Sequence, residues 1–201
     1  ESIKQVLGQL EQAPHLYFES TIQKFVEKEE IQYTLKAQKY SIDKTQPSTD
    51  SLASYSPKFH RILENLTNMD NKGLHMLYSN FRTLEGIGIF SLVLQANGFT
   101  PFKLKRNAKQ EFVLDIPREK RIKKRMFALY TGTETVEEKE ALRNIFNGQW
   151  ETLSTPLQEE LREIHGNNMY GEIIKMFMIT SSGAEGISLK NVRYVHIMEP
   201  Y

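Results

Sequence analysis

The sequence predicts an α/β fold in which helices flank a parallel sheet, and three observations lead there. Short apolar runs recur at His75–Tyr78, Phe127–Tyr130 and Met176–Ile179, each too brief for a helix and too continuous for a strand with one wet face. Segments with helical patterning, Thr83–Ala96 and Val136–Phe146, lie between them, so successive strands are joined by crossovers and pair in parallel. All three runs stop at small polar residues: Ser79-Asn80, Thr131-Gly132-Thr133 and Thr180-Ser181-Ser182-Gly183.

Taken in order, residues 1–35 set apolar side chains at roughly helical spacing (Ile3, Val6, Leu7, Leu10, then Ile22, Phe25, Val26), which predicts one or two helices divided at Pro14. From Asp43 to Pro57 the composition turns to Asp, Lys, Thr, Gln, Pro and Ser, the mark of a connector. His75–Tyr78 is the first strand, and the helix Thr83–Ala96 that follows closes at an Asn97-Gly98 C-cap. Phe99–Leu104 reads as a second strand and Phe127–Tyr130 as a third. The helix Val136–Phe146 carries Glu137, Glu138 and Glu140 near its positive end and stops at Asn147-Gly148. Residues 149–172 form a helical insertion. Glu172–Ile179 then leads into a Gly-x-x-Gly loop, and Asn191–Met198 is the last strand.

An apolar share of 39% over 201 residues is enough for a real core in one or two domains. The chain has no cysteine, which removes disulfides, thiolate zinc sites and a cysteine nucleophile. A net charge of +1 gives no general attraction to polyanions, so only local clusters can. The main cluster is Pro117–Arg125, near Lys103, Lys105, Arg106 and Lys109. It reads equally as a phosphate-tracking patch, a subunit contact or a solvated face. The five histidines show no ligand spacing; His196 reads as a hydrogen-bonded core residue and Trp150 as core. No leader pattern opens the sequence, and its greasiest run, Leu84–Leu94, contains Glu85 and is far short of a bilayer span, so the expectation is a soluble chain.

In a parallel sheet, ligands gather at the carboxyl ends of the strands, and all three polar tips would share that rim. Hydroxyls, amides and helix N-termini there can hold phosphate oxygens. Each tip alone also reads as ordinary local structure. Ser79-Asn80 suits a turn or N-cap, and the glycines of 180–188 suit a strand-to-helix turn.

Together the tips resemble the second RecA-like lobe of superfamily 2 helicases and translocases. Tyr78-Ser79-Asn80-Phe81 is similar to motif IV, and Thr180–Leu189 with Asn191-Val192 to motif V. Tyr130–Thr133, with the Glu-rich helix, Arg143 and Phe146-Asn147-Gly148, resembles the segment between them. A narrower set, Ser56-Pro57-Lys58-Phe59, Tyr78–Gly86 and Val195–Tyr201, resembles the helicase-like NTPases of large cytoplasmic DNA viruses, of the type of the poxvirus early transcription factor small subunit. The resemblance covers residues 56–201, with 1–55 as an N-terminal connector or inter-lobe segment.

The resemblance implies that Ser79, Asn80, Thr131, Gly132, Thr180 and Ser181 contact the backbone of one DNA or RNA strand, and that Gly183, Glu185, Gly186 and Ser188 face a nucleotide. Many family members carry Asp at the place of Ser188, and a hydroxyl bonds the ribose more weakly. ATP and Mg2+ would be cofactors of the full-length parent, none being held by this chain alone. The chain contains no Gly-x-x-x-x-Gly-Lys-Ser/Thr and no Asp-Glu-x-His or Asp-Glu-Ala-Asp run. Family members continue past the position of Tyr201 into a Gln-x-x-Gly-Arg-x-x-Arg stretch, motif VI, whose arginines act in phosphoryl transfer at an effect on the order of 10³–10⁵ in rate. The expectation is therefore half a motor, inactive alone, which closes onto an N-terminal RecA-like lobe. Its setting would be viral transcription in the virion or a cytoplasmic viral factory, with a viral RNA polymerase or transcription factor subunit as partner and no membrane. The alternative is a non-enzymatic helicase-like scaffold in a polymerase or virion assembly.

Overall fold

The computed structural model describes residues 52–82, 86–121, 125–184 and 186–199, and the backbone alone at 26–29, 32–35, 54 and 55. Its first elements are the antiparallel pair β1 (Val26–Glu29) and β2 (Gln32–Leu35), followed by helices α1 (Leu52–Tyr55) and α2 (Pro57–Thr67). Strand β3 (Leu74–Ser79), helix α3 (Ile87–Ala96) and the short β4 (Thr100–Pro101) come next. An antiparallel hairpin of β5 (Leu104–Arg106) and β6 (Phe112–Leu114) precedes a 3₁₀ turn at Arg118–Lys120. The remainder is β7 (Met126–Tyr130), α4 (Val136–Phe146), α5 (Thr155–Ile164), β8 (Ile174–Thr180), the single turn α6 (Ser181–Ala184) and β9 (Val192–Ile197).

Five strands form one sheet in the order β4-β7-β8-β3-β9, and every pairing is parallel. The expected α/β, RecA-like layer is present. Strand β8 is buried along its whole length, because its neighbours take both hydrogen-bonding edges and helices cover both faces. On one face α1, α2 and α3 pack Leu63, Leu66, Phe90 and Leu94 against Leu77, Phe127, Met176 and Met178. On the other, α4 and α5 bring Leu142, Phe146, Leu157 and Leu161 against Ala128, Phe177 and Ile179. Phe177 anchors this second layer, its ring 4.7 Å from that of Phe146 and 5.3 Å from that of Tyr130. Burying such a ring stabilises the fold by about 2–3 kcal/mol.

Several expectations need correction. Val26, read as helical, lies in β1, and Leu52–Tyr55, read as connector, forms a helical turn. Helix α2 was not anticipated, although Ser56 is its N-cap, accepting from Phe59 N at 3.3 Å, and Pro57 stands where a missing N–H does no harm. The expected strand Phe99–Leu104 is split. Only Thr100–Pro101 pairs with β7, on the sheet edge that a proline tolerates, while Leu104 begins the separate hairpin. The remaining strands and helices fall within a few residues of expectation, and α4 spans the expected residues from its Thr135 cap to Gly148, which adopts φ +70°. Residues 1–25, the connector up to 51 and Thr83–Glu85 lie outside the described residues.

Two buried polar groups fix how the layers meet. Asn168, at 1% exposure, accepts from Ile173 N and Ile174 N, each at 2.9 Å, and donates to the Phe146 carbonyl at 3.1 Å, so the insertion is tied to the start of β8. Lys175, on β8, extends its ammonium to the carbonyls of Gly73 (2.7 Å) and Asn71 (3.1 Å).

His75 and His196 pair across β3 and β9, with Nδ1 of the first 2.9 Å from Nε2 of the second, and Tyr194 stacks on His75 at 4.4 Å. Burial, with Lys175 and His196 adding repulsion, lowers the His75 pKa to about 3; burial lowers that of His196 too. An imidazole so depressed binds fewer protons folded than unfolded. The stability linked to it is therefore complete above the unfolded value of 6.5 and drains away as pH falls from there toward about 3. Urea midpoints should fall across that interval, and the double variant H75F/H196L should show a clearly shallower fall. An equal slope in both proteins would show that the pair is not the cause.

Candidate nucleic-acid interface

Parallel register brings the predicted tips side by side. Ser79 pairs with Thr180 at the carboxyl ends of β3 and β8, and Tyr130 on β7 pairs with Ile179, so Thr131 stands one residue beyond. The rim runs β7, β8, β3, β9 without interruption. This is the arrangement that the sequence implied.

Side-chain placement divides the predicted contacts into two sets. Ser79, Thr131 and Thr180 are buried and bond within the protein. The Thr131 carbonyl accepts from Thr180 Oγ1 at 3.0 Å and from Ser182 Oγ at 2.6 Å, which laces the tips of β7 and β8 together. Ser79 Oγ lies 3.1 Å from both the Phe81 carbonyl and the Glu199 carboxylate. Gly132 and Ser181 are exposed, and Asn80 is half-buried with its Oδ1 accepting from the Tyr78 hydroxyl at 2.9 Å, while the others hold the rim.

The segments of the narrower resemblance meet here as well. Lys58 at the start of α2 donates to the Met198 carbonyl, and Met198 N donates to the Tyr78 carbonyl at 2.9 Å. The Glu199 carboxylate then accepts from Asn80 N at 2.8 Å. Three stretches far apart in sequence thus form one corner of the rim.

Of the predicted nucleotide-facing residues, Gly186 and Ser188 are exposed, whereas Gly183 is buried and Glu185 lies outside the described residues. Gly183 packs its bare Cα against β7, where a Cβ would fall on the Tyr130 carbonyl oxygen. Its neighbour Gly186 adopts φ +69° with open space around it. The loop beyond is braced by Asn147 at the end of α4, which donates to the Ser188 carbonyl at 2.9 Å and accepts from Lys190 N at 2.8 Å. Among the described residues no three of His, Asp or Glu gather as metal ligands, and one of the predicted glycines is turned into the fold.

The bracing bonds of three residues, Glu134, Glu199 and Asn147, escaped sequence reading; Asn147 and Glu199 fall within the stretches that carry the resemblance, and Glu134 does not. Glu134 Oε2 accepts from Thr131 N at 2.8 Å and Gly132 N at 3.0 Å, and its Oε1 lies 3.1 Å from the hydroxyls of both Thr131 and Thr133. Burial alone would raise the Glu134 pKa, but the donors from Thr131 and Gly132 outweigh it and hold the carboxyl below its ordinary value. A signal for it was present. Thr-Gly-Thr-Glu and Thr-Val-Glu-Glu stand in tandem, each with the Thr-x-x-Glu spacing of a capping box. The second caps α4, with Glu138 N 3.2 Å from Thr135 Oγ1, and the first clasps the loop before it.

The basic run does not act as one patch. Arg121 is buried and paired with Glu160 at 3.0 Å, and Arg125 precedes β7 at the end of the sheet away from the rim, 3.4 Å from the Thr67 carbonyl. Residues 122–124 lie outside the described residues. Nearer the rim, Arg82 is exposed just past β3, and Lys139 stands 5.4 Å from the Tyr130 ring centre.

The five-stranded parallel α/β layer with its polar strand ends on one rim is consistent with a RecA-like fold. Comparison with known proteins gives the relatives. The chain is 30% identical over 150 residues to a protein of Acanthamoeba polyphaga mimivirus named "Putative ATP-dependent RNA helicase", an alignment covering 75% of this chain and 20% of that protein. A second mimivirus protein of the same name is 28% identical over 129 residues, covering 64% of this chain and 12% of its own length. The "Termination factor NPH-I homolog" of African swine fever virus, Tick/Malawi isolate, is 28% identical over 166 residues, covering 73% of this chain and 21% of that protein. The chain is thus related to helicase-like proteins of large DNA viruses, and it spans about a fifth or less of their length. No family model matches it, and no solved structure does. Among the described residues no helix is long and apolar enough to cross a membrane.

The two motif V glycines should respond differently to a methyl group. Gly183→Ala forces backbone apart at the β7–β8 corner and should lower the thermal midpoint sharply. Gly186→Ala strains only its own φ and should cost about 1 kcal/mol. Equal effects in a melting experiment would mean that the close approach at Gly183 is not what holds the corner.

Proposed function

We propose that the chain is the C-terminal RecA-like lobe of an ATP-dependent nucleic-acid helicase or translocase, acting in viral transcription. The observation that carries this is the unbroken rim of β7, β8 and β3, where Gly132 and Ser181 are exposed and Asn80 is half-buried on a braced edge. Small hydroxyls and amides at strand tips suit phosphate oxygens and carry no sequence information. The RNA-helicase and termination-factor names of the relatives support the setting.

In this reading the lobe grips one strand of DNA or RNA, and an N-terminal RecA-like lobe supplies the phosphate loop and the acidic residues that ATP and Mg2+ require. Gly186 and Ser188 face that partner lobe, so nucleotide binding between the two draws this one inward and hydrolysis releases it. The cellular setting is the virion or the viral factory. Polymerase or transcription-factor subunits are the further partners.

Arg82 and Lys139 are the cations placed to neutralise phosphate near the rim. Two neutralised phosphates on a single strand give a log–log salt slope of about −1.4, or about a sevenfold loss of affinity between 50 and 200 mM salt. Fluorescence anisotropy with labelled oligonucleotides of differing sequence should show weak binding with that slope and little sequence preference, and R82A/K139A should flatten it. Affinity that is indifferent to salt would contradict strand tracking by this rim.

A further inference from the structure

We propose that Glu134 is a built-in competitor for the strand's phosphate, its carboxylate filling the nest of Thr131, Gly132 and Thr133 that a nucleic-acid phosphate must enter. This rests on the strand-binding function proposed above. Four donors converge on the one carboxylate, two backbone N–H groups and two hydroxyls, all within 2.8–3.1 Å. A carboxylate and a phosphate present the same chemistry to such a nest, a pair of anionic oxygens accepting from fixed N–H groups. Occupation by one excludes the other.

The clasp is local, and that separates it from a structural brace. Glu134 reaches back only one to three residues along its own loop, where Gly132 and Thr133 are exposed and Gly132 adopts φ +101°. Glu199, by contrast, bonds Ser79 and Asn80 across more than a hundred residues of chain and joins the end of β9 to β3. Releasing Glu199 would open the sheet corner, whereas Glu134 can swing into solvent with α4 and its Thr135 cap undisturbed.

A lobe that clasps its own carboxylate binds a strand more weakly by the fraction of time the nest is closed. Anisotropy with a short labelled oligothymidylate at low salt tests this on wild type, Glu134→Gln, Glu134→Ala and Glu137→Gln. The last makes the same charge change at an exposed residue of α4 that none of the nest donors contacts. The expected result is a gain of about five- to tenfold for both Glu134 variants and less than about twofold for Glu137→Gln. If wild type binds while folded Glu134 variants gain no more than Glu137→Gln, the competitor is overturned and strand binding stands. Should no protein bind at all, strand binding falls and the competitor with it. Wild type alone supplies a second readout. In an acid titration the Thr131 and Gly132 amide resonances follow Glu134 below the ordinary carboxylate range, and bound oligonucleotide should abolish that response; an unchanged titration at saturation overturns the proposal.

Discussion

The burial of β8 is the constraint from which the rest follows. A seven-residue strand with no wet face must find partners for every N–H and C=O on both edges, and β7 and β3 provide them in parallel. Parallel pairing has a consequence that antiparallel pairing lacks: the chain leaves every strand at the same end of the sheet. The polar residues after β7, β8 and β3 are therefore neighbours without any one of them having to be aimed. The placement of these tips is inherited from the hydrophobic packing below them.

The rim is also held shut by its own groups. The Thr131 carbonyl takes two hydroxyl donors from the β8 side, and Glu199 spans β9 to β3. Buried polar groups that are satisfied internally make an edge rigid, and the residues left facing outward are few and small. Such an edge suits a partner that offers a regular row of anionic oxygens and little else.

Much of this was legible in the sequence because the local signals agreed. Helix α4 begins at a Thr-x-x-Glu cap and ends at Asn-Gly, and the three apolar runs are too short for anything but buried strands. Helix α2 was hidden because Ser-Pro in a Ser-rich stretch looks like a loop, although the same pair is an N-cap followed by a first-turn proline. The β1–β2 pair was hidden because Ile22, Phe25 and Val26 happen to fit helical spacing and no Gly or Asn stands between the two strands in sequence. The carboxylates of Glu134 and Glu199 were illegible for another reason. Each matters through groups that tertiary structure brings to it, and a lone Glu in a polar loop has no periodicity to betray that.

The relatives share aligned residues with this chain over a fifth or less of much longer proteins, and the parallel sheet sets the polar strand tips side by side. Hydrogen–deuterium exchange of the chain with and without a single-stranded oligonucleotide is the most direct test of the claim that joins them. The rim account predicts slowed exchange at 79–82, 131–134 and 180–183, with no change at the opposite end around 71–74 and 125–126. Protection confined to that opposite end, with the strand tips unaffected, would contradict it.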